Sequence, residues 1–206
     1  MQEKNNSEKI FHLVWMGSLF DKVPSLISEI KVDDYGFNGR LMNRGNRFEQ
    51  GWPAAFTVYI QGNKPVDYFL CGGFYDVVSD PVRIVIQEIA KEDAEFLRVR
   101  VVSVLSNQEI GQYWVMNVIK SVDALDWEQT TWATREIPYS DVRAYLSVIK
   151  PAIKFELAKN ANIFHLTVQG KNMSGIYLSA QLKNSLENAN STLGMKFTPV
   201  KVSLTS

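Results

Sequence analysis

The sequence is poor in the residue types that most often carry catalysis or bind metals. It contains one cysteine, Cys71, and two histidines, His12 and His165. A single thiol cannot form an internal disulfide, and it excludes a cysteine-rich metal site. No His-x-x-x-His or Cys-x-x-Cys spacing and no carboxylate-rich metal loop occurs, so we predict no metal and no cofactor. We expect Cys71 to be a small, buried apolar side chain in a strand.

The chain also lacks an excess of charge of either sign. Lysine and arginine together number 22, as do aspartate and glutamate. Such a chain has no global field to attract nucleic acid or an anionic membrane, so we predict neither as a partner. Residues 1–9 lack the basic and apolar regions of a signal peptide, and no apolar run approaches the roughly 20 residues that span a bilayer. We therefore expect a cytoplasmic protein.

Apolar residues make up 46% of the 206 residues, and aromatic residues make up 12%. This content is sufficient for one large core or two small ones. We predict a single compact unit over residues 1–206, with two related lobes, 1–110 and 111–206, as the alternative arrangement.

The clearest helix signal follows Ser79. A serine hydroxyl can accept a hydrogen bond from a free N–H of the first helical turn, and Pro81 suits that turn because it needs no donor there. Apolar side chains then recur at helical spacing, and the same pattern follows Ser179. We predict an α+β fold with helices near 79–91 and 179–189 on mainly antiparallel sheets, and an internal duplication of a strand–helix–strand unit.

Other segments indicate strands and loops. Residues 10–16 have the pattern of a buried strand, and residues 56–60 and 66–70 flank a turn and so predict a hairpin. Glycine and asparagine dominate residues 36–53, which predicts a loop. We predict a further irregular loop from Trp127 to Asp141, with a partly exposed Trp132.

Tests for catalytic chemistry give no convincing set of residues. There is no Gly-x-Ser-x-Gly elbow and no phosphate-binding loop. Both histidines lie in Ile-Phe-His-Leu runs, which favours half-buried strand positions. The nearest approach to a paired-carboxylate site is Asp123, Asp126 and Glu128, but these residues flank Trp127 at a turn, where aspartate commonly bonds its own backbone. We predict no catalytic residue.

Three segments suit a binding surface. The first is the glycine-rich loop, whose large side chains belong to types that dominate interface energetics; its candidates are Arg40, Arg44, Arg47, Phe48 and Trp52. The second is the acidic end of the first helix, with Glu88, Glu92, Asp93 and Glu95, and the third is the loop of Trp127 and Trp132. Charged residues in such segments are also common on a solvated surface, and Trp52 could instead turn into the core.

The second half of the chain resembles a known family. Its ordered motifs are Trp-Val-Met-Asn-Val at 114–118, Val-Asp-Ala-Leu-Asp at 122–126, Ile-Phe-His-Leu at 163–166, Ile-Tyr-Leu-Ser at 176–179 and Phe-Thr-Pro-Val at 197–200. In this order they resemble the eleventh family of bacterial polymorphic-toxin immunity proteins, once described only as a domain of unknown function. His165 departs from the basic residue that is usual there.

The resemblance implies a cytoplasmic, non-catalytic protein that binds and neutralises a cognate toxin domain, made by the same bacterium or delivered by a sibling. The resemblance does not identify any residue of this chain as a toxin contact. Two other classes stay open at this point, a small hydrolase-like enzyme of unrecognised type and a structural subunit of a larger assembly. An enzyme would have a deep pocket with converging titratable groups, whereas an inhibitor would have a broad, shallow surface.

Overall fold

The computed structural model describes residues 9–15, 29–32, 42, 45–49, 51–53, 56–61, 65–71, 75–136, 143–168, 170–173 and 175–204. Strands predominate in these segments. The strands are β1 (Ile10–Trp15), β2 (Glu29–Val32), β3 (Phe56–Ile60), β4 (Tyr68–Cys71), β5 (Tyr75–Ser79), β6 (Ala94–Ser103), β7 (Glu109–Val118), β8 (Ser121–Val122), β9 (Thr131–Glu136), β10 (Arg143–Lys150), β11 (Ala152–Lys154), β12 (Ile163–Val168), β13 (Lys171–Asn172), β14 (Ile176–Ser179), β15 (Met195–Pro199) and β16 (Lys201–Ser203). The helices are α1 (Asp80–Ala90), α2 (Phe155–Ala158) and α3 (Ala180–Asn188).

Two larger sheets organise the fold. The first sheet has the strand order β2–β3–β6–β7–β5–β4, and the second has the order β13–β12–β14–β1–β15 with β8 beside β12. Parallel pairs (β3 with β6, β8 with β12 and β11 with β16) occur alongside antiparallel ones, so the sheets are mixed. The architecture is α+β. No helix in the described part of the chain is long and apolar enough to cross a membrane.

Each sheet contains one set of strands arranged around one helix in the same way. We define the first unit as β4, β5, α1, β6 and β7, and the second unit as β12, β14, α3, β15 and β1. The first unit has the order β4–β5–β7–β6, and the second has the matching order β12–β14–β1–β15. Tyr68 pairs with Val78 in one, and Ile163 pairs with Leu178 in the other. The central strand β7 comes last in the first unit along the chain, whereas its counterpart β1 is the first strand that the structure describes.

The matching strand orders are a feature of the folded structure. Their origin in a duplication stays a prediction, and so does the division into lobes at residue 110.

The helices α1 and α3 pack against one core that both units share. Their apolar stripes point inward as the spacing predicts, with Val82 and Ile86 on α1 and Leu182 and Leu186 on α3 all at 2% exposure or less. The predicted positions of both helices are confirmed. A separate cluster on the other face of the first sheet contains Cys71, which is fully buried as predicted.

The two serines that precede these helices make different contacts. The Ser179 hydroxyl accepts a hydrogen bond from the Leu182 N–H at 3.2 Å, as a helix cap does. The Ser79 side chain makes no cap bond to its helix. Its hydroxyl instead donates to Asp67 Oδ1 at 2.9 Å. Ser79 therefore occupies the N-cap position as predicted, but the expected hydrogen bond from the first helical turn to its hydroxyl is absent.

Two local predictions about strands were also wrong. The segments 56–60 and 66–70 do not form a hairpin, because β3 pairs with β2 and β6 while β4 pairs with β5 at the opposite edge of the sheet. The predicted loop from Trp127 contains a strand, β9, which pairs with β10. The partner of β3 is distant along the chain, so local turn signals do not identify it; β9 instead pairs with the next strand, β10, and its strand pattern was not recognised.

Candidate functional site

Two of the predicted surfaces meet at Arg47. The Arg47 side chain is 61% exposed, and its guanidinium lies 3.8 Å from Glu92 Oε2 and 3.9 Å from Glu95 Oε2. Glu92 is 75% exposed and Glu95 is 18% exposed. We call these three residues the Arg47 surface. It joins the glycine-rich loop to the end of α1, two segments that the sequence predicted as alternative surfaces. Arg40 and Arg44 lie outside the described residues.

The loop around Arg47 is fixed by hydrogen bonds to the first sheet. The Phe48 N–H donates to Glu95 Oε1 at 2.5 Å. The fully buried side chain of Asn117 donates to the same oxygen at 2.6 Å and to the Asn46 carbonyl at 3.0 Å. Because Glu95 and Asn117 lie on neighbouring strands of the sheet, the loop is held against a rigid support.

The two aromatic candidates of the loop pack against the core of the first sheet. Trp52 stacks on Phe56 with ring centroids 4.9 Å apart, and Phe48 meets Trp52 edge to face at 5.8 Å. The Trp52 indole N–H donates to the Arg98 carbonyl at 2.6 Å. Both rings are half-buried. Their main contacts therefore position the loop, and Arg47 is its prominent exposed side chain among the described candidates.

The start of the described loop lies against the second sheet. Gly45 has φ +75°, and a Cβ built there would lie 1.9 Å from Ser121 Oγ on β8. Glycine is needed here both for this backbone conformation and for the close approach. The segment from Gly45 to Trp52 thus contacts both sheets.

The acidic candidates divide into exposed and structural residues. Glu88 and Glu92 are exposed, whereas Asp93 is buried. Asp93 Oδ2 accepts the Asn162 N–H at 2.9 Å, and its carbonyl accepts the N–H groups of Ile119 and Lys120. Asp93 therefore joins the end of α1 to the second unit, and the exposed acidic surface consists of the two glutamates.

Trp127 and Trp132 form a separate surface. Their rings stack with centroids 4.5 Å apart, and the Trp132 indole N–H donates to the Trp127 carbonyl at 3.2 Å. Trp132 is partly buried against the core of the second sheet, while Trp127 is 44% exposed. Val148 lies opposite Trp132 in the β9–β10 pair. The exposed part of this surface is therefore mainly the Trp127 ring.

The histidines have structural contacts. His165 is 3% exposed, and with its proton on Nδ1 it donates to the Gly175 carbonyl at 2.8 Å. Burial lowers the pKa of His165, and the Gly175 carbonyl opposes this change. His12 stacks on Tyr177 at 5.1 Å, and burial lowers its pKa as well.

The carboxylates near Trp127 fit a turn. Asp126 is buried, and its Oδ1 accepts the Gln129 N–H at 3.1 Å, which is the backbone bond expected of an aspartate in a turn. Asp123 and Glu128 are exposed. Within the segments that the structure describes, no group of three or more His, Cys, Asp or Glu side chains could hold a metal ion.

The comparison with protein families decides the assignment. The model of the Immunity protein family (Imm11) matches residues 32–202. The chain belongs to this family. No curated protein matches the chain. The Imm11 match includes Arg47, the acidic end of α1 and the two tryptophans, and it extends well upstream of the motifs that carried the resemblance.

One charged surface of this Imm11 protein is not among the candidates that the sequence offered. Arg98 and Arg100 lie on the exposed face of β6, and Trp114 lies opposite Arg98 on β7. The available signal was the alternation of β6, in which arginines occupy one face and Leu97, Val99 and Val101 occupy the other. The strand pattern alone could not show that α1 leaves this part of the face open.

Proposed function

We propose that this Imm11 protein is a non-catalytic, cytoplasmic immunity protein of a bacterium, which binds a cognate toxin domain and neutralises it by occupying the toxin surface. The family match over residues 32–202 carries this proposal. The toxin is expected to be a protein domain made by the same bacterium or delivered by a sibling cell. Protection then depends on binding alone.

The contacts of the titratable residues support a role without chemistry. His165 is buried and bonded to a backbone carbonyl, Asp126 is bonded to a backbone N–H, and Asp93 joins two units. Each of these groups is used to hold the fold. A catalytic acid or base must instead reach a proton on the substrate.

We place part of the toxin interface on the Arg47 surface, together with Arg40 and Arg44. The described loop is fixed at Gly45, Phe48 and Trp52, so Arg47 is presented without a large ordering cost on binding. Arg47 beside the exposed Glu92 offers both signs of charge, which favours a specific partner over a generally charged one. The Trp127–Trp132 surface is the second candidate, because partly exposed aromatic rings are frequent anchors.

Co-expression tests the function. The toxin domain encoded beside this gene should arrest growth when produced alone, and co-production of the immunity protein should restore growth and yield a stable complex. Single substitutions His12→Gln, His165→Asn, Asp123→Asn and Asp126→Asn should leave protection intact wherever the fold survives. A folded variant that still binds the toxin but no longer protects would replace this proposal with an enzymatic one.

Calorimetric titration of two matched variants tests the interface. Arg47→Ala with Glu92→Ala removes the exposed pair, and Trp127→Ala removes the aromatic anchor. The first variant should weaken toxin binding by about 1 kcal/mol or more if the Arg47 surface is an interface, while its stability should change little because exposed ion pairs contribute roughly 0–1 kcal/mol. Wild-type affinity in this variant, with weaker binding by Trp127→Ala, would place the interface at the tryptophans.

A further inference from the structure

The first sheet has an open, charged face beside α1. Arg98 and Arg100 project from β6 on the side of the sheet that carries α1, with side chains 46% and 61% exposed. Gln112 on β7 is exposed, and Thr57 on β3 is half-buried. The helix therefore covers only part of this face. The glycine-rich loop packs on the opposite face, against Leu97 and its neighbours.

The two arginines share one carboxylate. Arg98 Nη2 lies 3.5 Å from Glu109 Oε1, and Arg100 Nε lies 3.3 Å from Glu109 Oε2. Among the described residues, Glu109 is the one acid paired with either guanidinium. Each guanidinium has five N–H donors in a planar fork, so the pairing with Glu109, taken over the described part of the chain, engages only some of the donors on each group.

Trp114 holds this arrangement in place. Its indole N–H donates to Asp80 Oδ1 at 2.8 Å. The guanidinium of Arg83 lies 4.7 Å from the centre of the Trp114 ring, and that of Arg98 lies 5.5 Å from it. Arg83 is fixed in turn by Asp80 at 2.8 Å. Cation–π contacts of this kind restrict the arginine side chain, which reduces the entropy lost when it binds a partner.

We propose that Arg98 and Arg100, supported by Trp114, form a docking surface for a carboxylate-bearing face of the toxin domain. We call this the Arg98 face. The proposal rests on the proposed function and adds a second contact region to it. Each guanidinium can donate two parallel N–H bonds to one carboxylate, which is the bidentate geometry that arginine favours. Glu109 and Asp80 on the same face oppose an extended polyanion, and the chain has no net charge, so an acidic protein surface fits better than nucleic acid.

Binding kinetics with the toxin domain encoded beside this gene test the proposal. The variant Arg98→Gln with Arg100→Gln should bind roughly tenfold or more weakly, with slower association and a weaker dependence on salt. The control is Lys171→Gln with Lys201→Gln, which removes two exposed charges from other strands and should bind within error of wild type. Unchanged affinity and salt dependence in the arginine variant would overturn the proposal.

Two further measurements make the outcome decisive. Absence of any complex with the wild-type protein would contradict the proposed function itself. A wild-type complex that the arginine variant retains would contradict only the proposal for the Arg98 face. Should the glutamine variant not fold, Arg98→Lys with Arg100→Lys tests the same point, because lysine keeps the charge but loses the fork. Faster dissociation supports the proposal, and unchanged dissociation overturns it. Binding of a mixed-sequence oligonucleotide that depends on both arginines would also overturn it.

Discussion

The two units begin their helices at matching positions but join to each other through opposite chemistry. In the first unit, the carbonyl of Asp67 accepts the Ser79 N–H at 3.0 Å, and its carboxylate accepts from the Ser79 hydroxyl and from the Leu193 N–H. Leu193 lies just after α3, so a side chain of the first unit meets the backbone of the second. The Asp67 backbone N–H donates to the Leu193 carbonyl at 2.8 Å, so the side chain of Asp67 is the acceptor at this junction while its backbone is a donor.

In the second unit the matching residue is Asn162. Its carbonyl accepts the Ser179 N–H at 3.0 Å, and its side-chain oxygen accepts from the Ser179 hydroxyl at 2.8 Å. Here, however, the Asn162 side chain donates to the Ile89 carbonyl, and its backbone N–H donates to Asp93 just after α1. Each helix start is therefore tied to the end of the other helix. The difference shows that one backbone arrangement can be held by a carboxylate in one place and an amide in the other.

The largest effect is expected from a charge in the shared core. Ile86→Asp and Leu186→Asp place an unpaired carboxylate at positions that are 2% and 1% exposed. Each should lower the free energy of unfolding by about 3 kcal/mol or more, because burial opposes the charged form. Urea unfolding followed by circular dichroism measures both. If one core serves both units, the losses should be similar and the transition should stay single.

Ile84→Asp is the matched control, because Ile84 lies on the same helix and is 44% exposed. Its effect should be small. Equal losses for Ile84→Asp and Ile86→Asp would show that the phase of α1 is wrong. A large loss at Leu186 with none at Ile86 would break the equivalence of the units.

The next largest loss of stability is expected where the backbones of the two units differ. Gly194 has φ +96°, and a Cβ built there would lie 2.2 Å from the Tyr68 carbonyl oxygen; by strand register the corresponding residue of the first unit is Asp93. Gly194→Ala should destabilise by about 2 kcal/mol or more, since it combines backbone strain with a clash against main chain. Ala94 follows that position and is 4% exposed, so Ala94→Gly should lose roughly 1 kcal/mol through backbone entropy and lost packing.

Thermal unfolding of these variants can be compared with Gly51→Ala, where nothing lies within 4 Å of the added carbon. That control should change stability little. A Gly194→Ala protein as stable as wild type would mean that the contact between the second unit and Tyr68 is looser than described.

Local sequence patterns predicted the elements of this fold better than their partners. The stripes of α1 and α3 follow from periodicity within one segment, so their positions could be predicted. The pairing of β3 with β6 depends on residues more than forty positions apart, and no local signal specifies it. The same limit applies to Ser79, because the acceptor of its hydroxyl, Asp67, lies twelve residues upstream.

The candidate site shows this limit too. The sequence singled out Arg47 and Glu92 as members of two separate segments, and the fold brings them together. Trp52 was considered both as an anchor and as a core residue, and its stacking on Phe56 depends on a fold that composition does not specify. The Arg98 face was missed because its exposure depends on how much of the sheet α1 covers.

A smaller effect separates the two serines. Aspartate is as good a residue as serine at a helix start, so the helix rule alone predicts little change for Ser79→Asp or Ser179→Asp. The contacts predict otherwise. Ser79→Asp should lose about 2 kcal/mol, since its carboxylate would face Asp67 in place of a hydroxyl donor. Ser179→Asp should lose about 1 kcal/mol, because it keeps the acceptor for Leu182 and loses only the donor to Asn162.

Chemical denaturation of both variants, with the matching alanine variants as controls, measures this difference. Ser79→Ala should be milder than Ser79→Asp, because it removes the donor without adding a charge. Equal losses for the two aspartate variants would remove the distinction drawn between the units.

The smallest change in stability is expected on mild acidification, and it should distinguish the second unit from the first. Both histidines lie in strands of the second unit, and burial lowers the pKa of each. A histidine whose pKa is lower in the folded protein than in the unfolded chain contributes its full stabilisation above the unfolded-state pKa of about 6.5. This contribution is lost as the pH falls toward the folded-state pKa, because the unfolded chain takes up the proton first. The free energy of unfolding should therefore decrease as the pH falls below that value.

His165→Asn isolates this contribution. Its amide can donate to the Gly175 carbonyl in place of Nδ1 but does not titrate, so the variant should show a shallower loss of stability on mild acidification, whatever its stability at neutral pH. Hydrogen exchange gives the location of the effect. Amides of β12 and β14 should lose protection on acidification before those of β5 and β7 if the shared core allows the units to open separately. Parallel loss across all four strands, with an unchanged slope in His165→Asn, would mean that the units respond to acid as one and that His165 is not the group that titrates.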